Sequence, residues 1–415
     1  MVQFDCFELP NGLKVLVNED RSTPLVAINI LYKVGSRNEN PEKTGFAHLF
    51  EHLMFGGSIN IPSFDDPLQL VGGENNAFTS NDITNYYITV PADNIETGLW
   101  LESDRMLALN FSEESLKIQK NVVIEEYRQR YLNPTYGDIW LLLRPLVYKV
   151  HPYRWPTIGE KIEHIQNATL DDVKDFFYSH YAPNNAVIAL SGNITTEQAK
   201  NLISKWFGDI ENRPIKNHII TSEPEQTESR ELTVYRNVPF DAIYKSWHIP
   251  ARIDDDFYVC DVITDLLSSG KSARLYQTLV KEQKLFSEVN AFVSGDVDAG
   301  MLIIGGKLME GVAIEKADKA IEAILDKIKS IPVDERELKK VQNKFEINIL
   351  QGHTNALNKA MNLAYYEMLG DASILNQQTE MYCKTTSEDI LRVANAIFRS
   401  SNCSTLNYMA EKNKI

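Results

Sequence analysis

The chain opens with apolar and polar residues in the alternation of a half-buried hairpin. Phe7-Glu-Leu and Leu13-Lys-Val-Leu-Val flank Pro10-Asn11-Gly12, which has the composition of a turn. Runs rich in β-branched and aromatic residues at 27–34, at 85–90 (closed by Pro91) and at 186–192 predict further strands. Between them the period lengthens to that of amphipathic helices over 45–55, 95–109, 113–130 and 170–178. A last helix spans 196–207, with Thr195 as its N-cap.

A polar stretch over 212–230, containing Pro214, Ser222-Glu-Pro-Glu-Gln-Thr and Ser229, has the composition of a linker. The theme then repeats. Strands are predicted at 231–235, 242–249, 287–292 and 301–305, with helices at 256–267, 273–283 and 314–328. This repetition predicts an α+β fold of two similar domains, 1–211 and 231–415, each a mainly antiparallel sheet packed with helices.

Composition narrows the function. A hydrophobic fraction of 43% over 415 residues excludes a disordered chain. No run approaches the ~18 apolar residues of a membrane span. A net charge of −15 argues against nucleic acid and anionic membranes as partners. Cys6, Cys260, Cys383 and Cys403 are far apart, which predicts mostly buried, reduced thiols. The first residues lack the basic and apolar regions of a signal peptide, so a cytoplasmic location is expected.

The chemistry concentrates in His48-Leu49-Phe50-Glu51-His52. On a helix each residue advances about 100°, so His48 and His52 share a face and Glu51 falls on the same side. Two imidazoles at that spacing can bind one metal ion, and zinc suits them, with a water of pKa near ~7 at an open position. A carboxylate outside the ligand set can then carry that water's proton to a leaving amine. Leu49, Phe50 and Leu53 would pack the helix against a sheet. The third ligand must come from elsewhere. Ile118, Val122 and Glu126 line up at helical spacing, which would carry Glu126 inward while Glu125 turns away. Taken alone, these acids also fit an ordinary exposed pair.

His48-Leu-Phe-Glu-His52, followed 74 positions later by Glu126 in Val122-Val-Ile-Glu-Glu126, resembles the inverted zinc motif of the pitrilysin family. That family includes insulin-degrading enzyme and mitochondrial processing peptidase. Gly73-Glu-Asn-Asn-Ala-Phe-Thr-Ser80 with Thr84-Asn-Tyr-Tyr87 resembles the family's edge-strand segment. His151-Pro-Tyr-Arg-Trp-Pro-Thr-Ile-Gly159, Tyr181-Ala-Pro-Asn-Asn185 and Gly192-Asn-Ile194 resemble the close of its first domain. The resemblance implies a zinc metalloendopeptidase with one Zn2+ per chain and half of a clamshell as its architecture. His48, His52 and Glu126 would be the ligands and Glu51 the general base. Asn76, Ala77 and Phe78 would lie on the edge that receives an extended peptide as an added strand.

Two positions depart from the family. Gln119 stands where a second acid often supports the metal. Leu279 and Phe286 occupy positions where active members carry an Arg and, seven residues later, a Tyr. Neither can steady an oxyanion. The expected partner is therefore a homologous subunit supplying that pair, with a homodimer as the alternative. Two rival readings remain, a non-catalytic core or scaffold subunit of the same fold and a zinc module without hydrolysis. His151, His164, His180, His218, His248 and His353 are scattered, as ordinary structural or surface histidines are. Gly270-Lys-Ser lacks the upstream glycine of a phosphate-binding loop.

Overall fold

The computed structural model describes residues 1–216, 219–295 and 297–411; Asn217, His218, Asp296 and 412–415 lie outside them. The chain folds into two compact units, each built on one sheet, so the fold is α+β as expected. The first unit comprises Met1–Gln129, Trp155–Ile220 and Leu350–Gln377. Its strands are β1 (Asp5–Glu8), β2 (Lys14–Glu19), β3 (Leu25–Tyr32), β4 (Glu74–Thr79), β5 (Thr84–Pro91) and β6 (Ala186–Gly192), in the order β1-β2-β6-β3-β5-β4. Only the β2–β6 pairing is parallel.

β3 and β6 are covered on both faces, which is why they read as apolar runs; β4, at the edge, alternates exposed and half-buried residues. Asn29 and Asn85, buried on adjacent strands, exchange side-chain amide hydrogen bonds of 3.0 and 2.8 Å. A one-residue slip of β3 against β5 would leave both amides unpaired, so this pair fixes the register. Three helices position the site: α1 (Phe46–Leu53), α2 (Ile95–Leu107) and α3 (Glu113–Tyr127). Leu49, Phe50 and Leu53 are buried as expected, and Phe50 stacks on Tyr181 and meets Phe176 at a tilt, with 5.2 and 4.9 Å between ring centres.

The second unit comprises Arg130–Arg154, Thr221–Ile349 and the chain from Gln378 on. Its strands are β7 (Arg230–Arg236), β8 (Ala242–Ile249), β9 (Phe286–Ser294), β10 (Gly300–Leu308) and β11 (Cys403–Ala410), in the order β7-β11-β8-β10-β9. Strand for strand, this is the first sheet without β1, down to the one parallel pairing, β7 with β11.

The units do not follow the expected cut between 211 and 231. Residues 130–154 belong to the second unit and 350–377 to the first. The physical reason is burial. The helix Ala356–Met368 buries Ala360, Leu363 and Ala364 against Leu16, Ala27, Leu31, Val187 and Ala189 of the first sheet. The helix Ile139–Val147 buries Ile139, Leu143 and Val147 against Ala242, Met301, Ile303 and Leu406 of the second. Each repeat gives up its segment at an equivalent place, after the long helix that precedes its last strand. The expected helix over 273–283 is present from Arg274, but winds in wide π-type turns over Tyr276–Glu282. All four cysteines are free thiols: Cys260 and Cys403 are buried, Cys383 is half-buried and Cys6 alone is exposed. No helix among the described residues is long and apolar enough to cross a membrane.

Candidate metal centre

α1 is short, and its N-cap is Gly45 in the left-handed conformation, φ 89°. A glycine N-cap offers no side-chain acceptor, and the first turn is closed from a distance instead. Glu39 Oε2 accepts the Gly45 N–H at 2.9 Å and Oε1 the Ala47 N–H at 2.8 Å. Burial pushes the Glu39 carboxyl up, while the backbone donors of Ala47 and Gly45, which use both of its oxygens as acceptors, pull it back down.

His48 and His52 leave the same flank of α1, their rings 4.9 Å apart and edge to face. α3 meets α1 and brings Glu126 to them. Its N-cap is Ser112, whose hydroxyl accepts the Ser115 N–H. Glu126 Oε2 stands 3.5 Å from His48 Nε2 and 3.3 Å from His52 Nε2. The three side chains each present a ligand atom within 4.8 Å of the others.

The donor set and its spacing fit a zinc ion. Bonds of about 2.0–2.1 Å in tetrahedral array put neighbouring ligand atoms about 3.3–3.4 Å apart, close to the distances found. Among the described residues this is the one group of three or more His, Cys, Asp or Glu able to hold a metal.

The route by which Glu126 arrives differs from expectation. Ile118 and Val122 are 51% and 43% exposed, so their face is not carried into the core. α3 instead buries Leu116, Val123, Ile124 and Tyr127, and Glu126 sits on the flank of that face, half-buried. The apolar residues are open to solvent beside the cluster. Gln119, two turns earlier on the same flank, is also half-buried.

Glu51 accepts a 2.6 Å hydrogen bond at Oε2 from the Thr79 hydroxyl. Thr79 is the last residue of β4 and pairs with Thr84. Strand alternation puts Ala77 on the face of Thr79 and turns Asn76 and Phe78 to the other. All three lie on the sheet's edge, because β4 pairs only with β5. Leu279 and Phe286 are fully buried in the core of the second unit.

Sequence reasoning passed over Thr79 and Glu39. Thr79 carried a usable signal, since alternation from Ala77 aims it at the face that α1 covers. Glu39 carried none, because its role depends on a chain reversal between Glu39 and Gly45. The acids of 101–104 have structural roles. Glu102 forms a buried ion pair with Arg105, whose guanidinium lies 4.4 Å over Phe64 and 4.3 Å over Tyr86. Asp104 holds the loop after α1 through Ser58 and Asn60 at 2.5–3.1 Å. His164, His151 and His248 bind Thr44, Asp298 and the Val147 carbonyl, as ordinary structural histidines do.

Two family models match the chain: insulinase (peptidase family M16) over residues 14–135 and the peptidase M16 inactive domain over 167–345. The zinc protease PqqE of Helicobacter pylori is 31% identical over 407 residues, covering 96% of this chain and 91% of its own. The uncharacterized zinc protease YmxG of Bacillus subtilis is 26% identical over 338 residues, 81% of this chain and 80% of its own. The crystal structure of a protease from Helicobacter pylori superposes with a TM-score of 0.93 at 29% identity, covering 98% of this chain and 100% of that one.

Proposed function

Because the chain belongs to the insulinase family, peptidase family M16, we propose that it is a zinc-dependent endopeptidase cleaving peptides and unfolded segments. The observation that carries this reading is the convergence of His48, His52 and Glu126 beside a carboxylate, Glu51, that lies outside the ligand set and is tethered to an edge strand. His48 Nε2, His52 Nε2 and a Glu126 oxygen would hold the ion. Zinc bound there would act as a Lewis acid toward the scissile carbonyl and make a nearby water more acidic.

The rest is done by this chain's own groups. The outward-facing main chain of β4 around Ala77 pairs with an extended peptide, the Asn76 side-chain oxygen that accepts the Ala77 N–H at 2.8 Å giving way to it, which gives affinity without a demand on side-chain sequence. The Glu51 carboxylate removes a proton from the attacking water and returns it to the departing amine nitrogen. Thr79 fixes the orientation of that carboxylate. We assign the metal to the first unit and read the second as its homologous, metal-free counterpart. Leu279 and Phe286, buried and apolar, supply no polar group to the reaction. That favours a catalytic subunit working with a homologous partner that contributes an Arg and a Tyr, and the intact set of His48, His52, Glu126 and Glu51 argues against a scaffold role for this chain.

The test is hydrolysis of a quenched fluorescent peptide library by metal-quantified protein. Turnover abolished by chelation and restored by zinc supports a self-sufficient peptidase. One zinc per chain without turnover, made active by a homologous subunit, supports the paired form. A chain that binds no zinc and gains no activity from any such partner would overturn the reading.

A further inference from the structure

We propose that Glu39 is a positioning residue for the metal centre: its carboxyl, reaching across from a separate turn, closes the N-terminus of α1 and thereby holds His48 in place. The inference rests on the zinc reading above. N-caps are ordinarily Ser, Thr, Asp or Asn, whose own side chains accept a first-turn N–H. Gly45 cannot be replaced by any of them. A Cβ there would lie 2.5 Å from the Ile158 carbonyl oxygen and 2.9 Å from Ile165 Cδ1, at a backbone conformation that side-chain-bearing residues rarely adopt. The close approach of 158–159 to Thr44 and Gly45 therefore excludes a local cap, while the first-turn donors still need acceptors.

Glu39 supplies them. Its two oxygens take the N–H groups of Gly45 and Ala47, and Leu49 N–H to Gly45 O at 2.9 Å begins the helical ladder. His48 follows Ala47 directly, so its backbone lies inside the turn that this carboxyl closes. Glu39 is itself anchored. It is 6% exposed, its own N–H donates to Ser36 O, and the Trp155 indole donates to the same carbonyl at 2.9 Å. The turn Ser36–Asn38 is thus a fixed platform from which the carboxyl reaches α1. A frayed first turn would displace His48 but leave His52, in the last turn, and Glu126, on α3, where they are. One ligand of three would drift.

The experiment compares the wild type with Glu39→Gln, which keeps the size of the side chain but replaces one acceptor with an N–H2 facing a backbone N–H. Glu39→Ala removes both acceptors; if it fails to fold, Glu39→Gln carries the test. Zinc affinity is read by competition with a chromophoric chelator, and hydrogen exchange is read separately for 44–50 and 121–127. Expected are a loss of zinc affinity of about 10–100-fold, the scale of outer support around metal ligands, and faster exchange confined to 44–50. A Glu39→Gln chain that melts lower but binds zinc with the wild-type constant would assign Glu39 to fold stability alone and overturn the proposal. A wild type that takes up no zinc overturns the metal reading itself, and with it this role, so the two failures are distinct.

Discussion

The helix after the second strand of each repeat makes an instructive pair. In the first unit that connection, β3 to β4, carries α1; in the second, β8 to β9, it carries the helix Asp255–Ser268. The second helix is nearly twice as long and buries Phe257, Tyr258, Val259, Cys260, Val262, Ile263, Leu266 and Leu267. Desolvation raises the Cys260 thiol to about 12, so it stays protonated and unreactive. α1 has eight residues and buries Phe46, Ala47, Leu49, Phe50 and Leu53 together with His48, which gathers on one flank with the half-buried Glu51 and His52. The sheet topology is shared, so topology does not create the site. What differs is the pair of histidines on one flank of α1 and the acid, Glu126, that the neighbouring long helix presents to them.

Substitutions that break this contrast are expected to differ in what they change. The largest effect belongs to His52→Ala, which removes one of three ligands: zinc content should fall from one per chain toward none and peptidase activity should vanish. A variant keeping one zinc would remove His52 from the ligand set. Glu51→Gln comes next. It leaves the three donors intact and removes the proton carrier, so zinc content should hold while kcat drops by about 10^2–10^4, the range of general acid–base contributions. Undiminished turnover in this variant would sink the role of Glu51.

The equivalent helix of the second unit should respond in stability alone. Ile263 is fully buried in that core, and Ile263→Ala should cost about 2–5 kcal/mol. Denaturant melts measure this cost, and zinc affinity of the folded protein should stay within twofold. A weakened metal site in Ile263→Ala would mean that the second unit supports the first unit's chemistry, and the contrast drawn above would fail.

The sequence showed some of this well and some of it poorly. The helix Thr196–Phe207 with its Thr195 cap and the strands Ala186–Gly192 and Ala242–Ile249 follow local signals, periodicity and capping, and lie where expected. His48, Glu51 and His52 share one flank because their spacing is itself helical geometry. The exchange of residues 130–154 and 350–377 was invisible, since an amphipathic helix reads the same whichever sheet it covers. The elements predicted from periodicity end at Ile328, yet β11, beyond it, lies between β7 and β8 in the second sheet. Ile118 and Val122 misled because periodicity locates a face without saying whether anything covers it. The Glu39 contact with α1 and the Thr79 contact with Glu51 are tertiary, and no spacing announces them.

The smallest expected effect tests the tether between the edge strand and the base. Thr79→Val is nearly isosteric, keeps the β-branched shape that suits β4, and removes only the hydroxyl that donates to Glu51 Oε2. A hydrogen bond to a charged group is worth about 1.5–3 kcal/mol. Part of that is recovered from water at this half-buried position, so a fall in kcat of about tenfold is expected. Zinc affinity should not change, because no ligand is touched. KM should stay within twofold, because strand pairing uses the backbone of β4. Thr79→Ser, which restores the donor, should recover most of the rate. If Thr79→Val and Thr79→Ser behave alike, the hydroxyl is not what holds Glu51. If KM rises and kcat holds, Thr79 acts on the edge that receives the peptide rather than on the base.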